Sequence, residues 1–178
     1  MGDRVLIISP HFYPENFKIN DLTIELKKKG YKIDVITSSP HYPSYGSYKN
    51  IKLSQRFKDS YKGSSVYRIP VFPRLKGNSL CLAINYMSFV FFGIFLSLFL
   101  NIKNEYNKVF IFQVSPVTVI SLALISKLFR NSKLYVWILD LWPESVASVK
   151  NLDKTFLPNL LKPISNFLYR KCDIFFIS

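Results

Sequence analysis

The sequence is poor in cysteine and poor in acid. Only two cysteines, Cys81 and Cys172, occur in 178 residues. Both lie in apolar surroundings, far apart, and read as buried free thiols of a reducing compartment rather than as a disulfide frame. No spacing of Cys and His suits a metal, so no metal-ligating residue is expected. The Gly-x-Gly-x-x-Gly fingerprint of dinucleotide binding is missing. So is any zinc-finger, recognition-helix or RNA-binding motif, and nucleic acid is not expected as a partner. Met1-Gly2-Asp3-Arg4 leads straight into a short apolar run, without the long apolar region of a signal peptide. There is no internal repeat and no low-complexity segment.

Acid is outnumbered: 11 Asp and Glu face 24 Lys and Arg, for a net charge of +13. Such an excess points to an anionic partner. The lysines are spread along the whole chain rather than gathered in one block. A diffuse basic field suits an anionic membrane surface better than a sequence-reading groove. Hydrophobic residues make up 49% of the chain, enough for a real core, and the length suits one domain.

The most informative stretch is 133–145, KLYVWILDLWPES. Its unbroken apolar run reads as a parallel strand buried on both faces. The run ends in Asp140, followed by Trp142, Pro143, Glu144 and Ser145. Proline followed by an acid marks a helix start. A carboxylate and an indole thus stand at the carboxyl end of a strand, where open α/β sheets hold ligands. The same residues also fit a plain helix cap.

The rest of the chain repeats that grammar. VLIIS (5–9) reads as a first strand, and two prolines then stiffen the loop Pro10-His11-Phe12-Tyr13-Pro14-Glu15-Asn16. Ile19, Leu22, Thr23 and Leu26 share one helical face, with lysines in the last turn and Gly30 as the cap. Residues 31–37 alternate, as a second strand does. A long polar, tyrosine-rich connection over 38–62 reads as a functional loop. Further strands are expected at 65–69, 108–113, 134–139 and 173–178, and helices from Ser115-Pro116, from Glu144 and over 156–171. Six strands alternating with helices imply a doubly wound, mostly parallel, Rossmann-like sheet of the α/β class.

Residues 80–100 carry no charge and are long enough to span a bilayer. Three readings stand: a helix packed on the domain, a helix lying in the membrane plane, or a true span. A span would put strands of one sheet on opposite sides of a membrane, which argues against it. Arg74, Lys76 and Lys103 flank the run and suit anionic headgroups.

Five stretches together, SPHFYPENFKINDLTIELKKKGYKIDVIT, SSPHYPSYG, VYRIPVFPR, FQVSPVTV and WILDLWPES, resemble the N-terminal domain of family 4 glycosyltransferases of the GT-B fold. Within that family the chain is similar to the bacterial polysaccharide-building type, the fucosamine and colanic-acid transferases. The resemblance runs along essentially all 178 residues. It implies a retaining transferase that moves a sugar from a nucleotide-sugar donor to a lipid-linked or saccharide acceptor, with no metal and no cofactor. It implies that this domain shapes the acceptor side, at the cytoplasmic, inner face of the cell membrane. The family's second domain, which holds most of the nucleotide, is not found in this sequence, so the chain is expected to be inactive alone. Carried over residue by residue, Asp140 becomes the catalytic candidate, as general base or orienting group. His11, Tyr13, Glu15, Asn16, Asn20, His41, Tyr42, Gln113, Ser115, Trp142 and Glu144 become substrate-binding candidates. The amides of Asn16 and Phe17, at the helix start, are candidates to face the donor diphosphate. Many relatives carry a histidine just before the aspartate. This chain has Leu139 there, so no catalytic histidine is assigned to that position. A non-catalytic membrane-docking or partner-subunit module is the alternative.

Overall fold

The computed structural model describes residues 3–40, 42, 58–73, 79–145 and 156–177. Strands β1 (Arg4–Ile8), β2 (Lys32–Ser38), β3 (Lys58–Tyr61), β4 (Ser64–Ile69), β5 (Lys108–Gln113), β6 (Lys133–Ile138) and β7 (Ile174–Ile177) form one sheet. The helices are α1 (Lys18–Lys28), α2 (Ser79–Lys103), α3 (Ile120–Arg130) and α4 (Phe156–Arg170). The strand order is β3-β4-β2-β1-β5-β6-β7. Every pairing is parallel except β3 with β4. This is the expected doubly wound, Rossmann-like α/β sheet.

The chain steps outward in one direction from β1 to β4, then crosses by α2 to β5 and steps outward in the other. That reversal makes the β1–β5 boundary the switch point where such sheets bind ligands. Ile7, Ile33, Val35 and Val66 pack under Ile19 of α1 on one face. Leu6, Ile8, Ile111 and Val136 pack under α2, α3 and α4 on the other. Burying each such side chain stabilises the fold by roughly 1.5–3 kcal/mol.

Several expectations need correction. The sheet has seven strands rather than six, because β3 lies inside the stretch read as one long loop. Its four residues are polar and half exposed, so they carry no core pattern. A two-residue turn joins β3 to β4, with both Lys62 (φ 48°) and Gly63 (φ 80°) in the left-handed region. Strand β2 does not alternate; every residue after Lys32 is buried, because β1 and β4 flank it and both faces are covered. Strand β6 is not buried on both faces. Leu134, Val136 and Ile138 are buried, but Tyr135 and Trp137 are only half so. On their side α1 covers the β1–β2 half of the sheet, and β6 lies beyond it. The helix expected from Ser115-Pro116 begins only at Ile120, after a short 3-10 turn over Val117–Val119. Glu144 and Ser145 form a single 3-10 turn, and the rest of the helix expected there lies outside the described residues. Cys81 and Cys172 are free thiols but half-buried. Burial pushes the Cys172 thiol up to about 12.

Helix α2 lies along the sheet and on α3, and the strands before and after it, β4 and β5, belong to the same sheet. Phe89, Val90, Leu96 and Leu100 enter the core, yet the outer face of α2 is apolar too. From 80 to 102 every exposed side chain is apolar, among them Met87, Phe91, Phe95 and Ile102. Asn85, Ser88, Ser97 and Asn101 are buried. Ser97 donates to the Leu122 carbonyl of α3 at 2.7 Å, and Gly93 lets the two helices close on each other. In α4 the expected core stripe is split: Leu168 is buried, while Leu160, Ile164 and Phe167 face outward.

Candidate functional site

The carboxyl ends of β1, β2, β4, β5 and β6 deliver their loops to one edge of the sheet. Pro10, Ser38, Val71, Ser115 and Pro116 meet the first turns of α2 there, around a cavity of about 10 Å³. That is room for roughly one water.

The loop after β1 is held by a buried polar cluster. His11 and Glu15 are 2% and 1% exposed, and His11 Nδ1 lies 2.7 Å from Glu15 Oε2. The other Glu15 oxygen accepts from the Tyr42 amide at 2.7 Å. The His11 ring stacks on Phe17 at 5.0 Å and meets the Tyr42 ring edge-on at 5.5 Å. Buried Asn20 donates to the Glu15 carbonyl at 2.7 Å and accepts from the Tyr13 amide at 3.0 Å, tying the loop to α1. The Phe17 amide is already bonded to the Glu15 carbonyl at 3.2 Å. That contact leaves it a weaker anion donor than its place at the helix start implied. Asn16, Tyr13 and Tyr42 are exposed on the rim.

A second cluster joins β5, β6 and α4. Gln113 is fully buried, and its Nε2 donates to the Asp140 carbonyl at 2.8 Å and to the Tyr169 hydroxyl at 3.1 Å. The Trp142 amide donates to the same hydroxyl at 3.3 Å, and the indole Nε1 donates to Ser115 Oγ at 3.0 Å. Burial raises the Tyr169 hydroxyl above the usual tyrosine range, so it stays protonated. These bonds fix the backbone of the β6 loop, and Gln113, Ser115 and Trp142 act here as a latch. The half-buried Asp140 carboxylate takes no hydrogen bond or ion pair from the described residues. Gln113 Oε1 is buried with no hydrogen-bond partner among the described residues. Glu144 is exposed further along the rim, and His41 lies outside the described residues.

Beneath the first cluster the Phe17 ring centre lies 6.3 Å from that of Phe112, which lies 5.3 Å from that of Trp137, while Trp142 and Tyr169 of the second cluster pack on the other face of the sheet. Sequence reasoning missed two members. Arg68, 8% exposed in β4, donates to the Tyr13 carbonyl at 2.7 Å and lies 3.5 Å from Asp59. Burial lowers its guanidinium from the usual arginine range, and Asp59 opposes that. A lone arginine inside the buried run SVYRI was the available signal. Tyr169, on a helix turned toward the latch, left none.

No protein-family model matches the sequence, and no curated protein matches it. Among solved structures the chain is similar to the UDP-glycosyltransferase UGT89C1 of Arabidopsis thaliana, solved with UDP. The match has a TM-score of 0.51 at 12% identity and covers 99% of this chain and 45% of that one. It is also similar to the C-terminal domain of the PF1911 hydrogenase of Pyrococcus furiosus, with a TM-score of 0.50, 13% identity and coverage of 76% and 89%. At such identities the likeness establishes the Rossmann-like fold alone. The chain spans less than half the length of the glycosyltransferase it matches.

Proposed function

We propose that this chain is the acceptor-side half of a retaining GT-B glycosyltransferase. It works at the anionic inner face of the cell membrane, in surface polysaccharide synthesis. The donor is a nucleotide-sugar held by a second domain, and the acceptor is a lipid-linked sugar. The observation that carries this reading is the Asp140 carboxylate. Its backbone is pinned by Gln113 at the switch-point edge of the sheet, while the side chain has no partner among the described residues. A group so placed can accept the proton of an acceptor hydroxyl or hold it in line for transfer. The His11–Glu15 pair and Asn20 hold the facing loop rigid, and exposed Tyr13 and Tyr42 offer rings for a sugar to stack on.

The test is sugar transfer to a polyprenyl-diphosphate-linked sugar, by the chain alone and mixed with a nucleotide-sugar-binding GT-B domain. Transfer is expected only in the mixture. Loss of a positioned acid–base group costs on the order of 10²–10⁴-fold, so Asp140→Asn is expected to slow the mixture by that much. Efficient transfer by the lone chain, or full activity of the variant, would refute the proposal.

The exposed apolar face of α2 favours a second reading, a non-catalytic docking module or partner subunit. Flotation with vesicles separates membrane docking from core packing. Phe91→Asp with Phe92→Asp is expected to abolish flotation and leave the thermal transition near that of the parent.

A further inference from the structure

A cavity of about 840 Å³ opens at the edge of the sheet opposite the crevice. Its wall includes the starts of β1, β2 and β4 and the last turn of α2. Four lysines reach it: Lys27, Lys32, Lys58 and Lys103. None of the four enters an ion pair among the described residues. Among the described residues the only carboxylate in the wall is Asp34, and it is spent: Arg4 donates to it at 2.9 Å and the Tyr106 hydroxyl at 2.8 Å. Asp34 therefore neutralises none of the lysines. Gly63 turns tightly beneath Lys27; a Cβ built there would lie 3.2 Å from Lys27 Cε. Lysine charges brought together with no counter-charge repel one another unless an anion sits among them.

The cavity is continuous with the apolar face of α2. Phe99, 44% exposed, stands in its wall, and Lys103 Nζ lies 4.2 Å from the centre of that ring. Phe95 and Ile102 extend the apolar surface along the same helix. A ligand that fits both parts has a phosphate at one end and hydrocarbon at the other. We infer that this cavity is a headgroup site for an anionic phospholipid, whose phosphate sits among Lys32, Lys58 and Lys103 while its acyl chains lie along α2. The inference rests on the membrane-docking reading of α2 and adds a selectivity that docking by apolar surface alone does not have. Helix α2 spans the two edges: Asn85, Tyr86 and Phe89 line the small cavity at the crevice, and its last turn lines the headgroup site.

The experiment is co-flotation of the full chain with two kinds of vesicle, phosphatidylcholine alone and phosphatidylcholine mixed with phosphatidylglycerol. The parent is expected to prefer the anionic vesicles. Lys32→Gln with Lys58→Gln is expected to cut that preference by about 10- to 30-fold, since a lysine near an anionic surface contributes about fivefold. Binding to neutral vesicles should remain. Lys18→Gln with Lys29→Gln removes the same charge from exposed positions outside the cavity, and is expected to cost at most about threefold. Equal losses for the two pairs would mean a diffuse field and overturn the site, while neutral-vesicle binding through Phe91 and Phe95 would still stand. No binding of the parent to either vesicle would overturn docking and site together. Saturation by micromolar inorganic pyrophosphate without lipid would assign the cavity to a soluble phosphate and overturn the lipid proposal.

Discussion

Along α1 the outward side chains are Lys18, Asp21, Glu25 and Lys28, and the inward ones are Ile19, Asn20 and Thr23. Along α2 the outward ones are leucine, isoleucine, methionine and phenylalanine, and the inward ones include two asparagines and two serines. Both helices pack on the same sheet, on opposite faces. The inner face of the first is mixed, with Asn20 and Thr23 buried beside Ile19, while its outer face is polar and charged as in an ordinary amphipathic helix. The inner face of the second is mixed as well, with Phe89, Val90, Leu96 and Leu100 buried beside the asparagines and serines, and the difference lies on its outer face, which is apolar; it packs also by close approach and by side-chain bonds to backbone. Ser97 bonds to Leu122, Asn85 to the Phe72 carbonyl, and Asn101 to the Ser97 carbonyl. Bonded in this way these buried groups cost little, apart from the Asn101 side-chain oxygen, which has no hydrogen-bond partner among the described residues. The exposed apolar surface is then free to meet something other than water.

The largest test of this contrast puts the same charge on each helix. Ile19 is fully buried, and Ile19→Asp buries an unpaired carboxylate in place of a packed side chain, a change expected to cost more than about 4 kcal/mol. Phe95 is 58% exposed, and Phe95→Asp is expected to stay within about 1 kcal/mol of the parent. Urea unfolding of the two variants measures both. Similar large losses would show that the outer face of α2 is core after all.

A smaller effect is expected at Gly93. An added Cβ would lie 2.4 Å from Leu122 Cδ2 and 3.1 Å from Leu122 Cγ. Leu122 is fully buried and has little room to move. Overpacking of this kind costs about 1–3 kcal/mol, and the gain in helix propensity from glycine to alanine is about 1 kcal/mol. Gly93→Ala is therefore expected to destabilise by up to about 2 kcal/mol. A more stable variant would mean that α2 and α3 are not tightly apposed and that α2 is held by something else.

Much of this arrangement is legible in the sequence, for a definable reason. VLIIS and KVFIFQ are apolar because these parallel strands are covered on both sides, the run before Asp140 is covered fully on one, and the strand ends must share an edge once the connections are right-handed. That alone brings His11, Gln113 and Asp140 to one rim. What stays hidden depends on partners far along the chain. Gln113 meets Tyr169 across 56 positions, and Arg68 meets Tyr13 across 55. No local pattern encodes either pairing. Strand β3 is hidden for another reason: KDSY is polar and half exposed, and what specifies it is its turn and its neighbour. For α2, composition announces a long apolar helix, but its charge-free run does not say which side packs. The small polar residues mark the inward side, the reverse of the usual inference.

The smallest effect sharpens the contrast from the side of α1. Glu25 and Lys28 form an exposed ion pair at 2.7 Å, of a kind α2 has none of between 80 and 102. Such a pair stabilises a helix by about 0.2–0.5 kcal/mol. Glu25 also lies near the carboxyl end of α1, where the helix dipole disfavours an anion. The two effects oppose each other, and Glu25→Gln is expected to change stability by less than about 0.5 kcal/mol, with less sensitivity to salt than the parent. Urea unfolding in low and high salt checks this. A loss of more than about 1 kcal/mol would mean that surface charge anchors α1, and that α1 and α2 differ in how they are held as well as in what they expose.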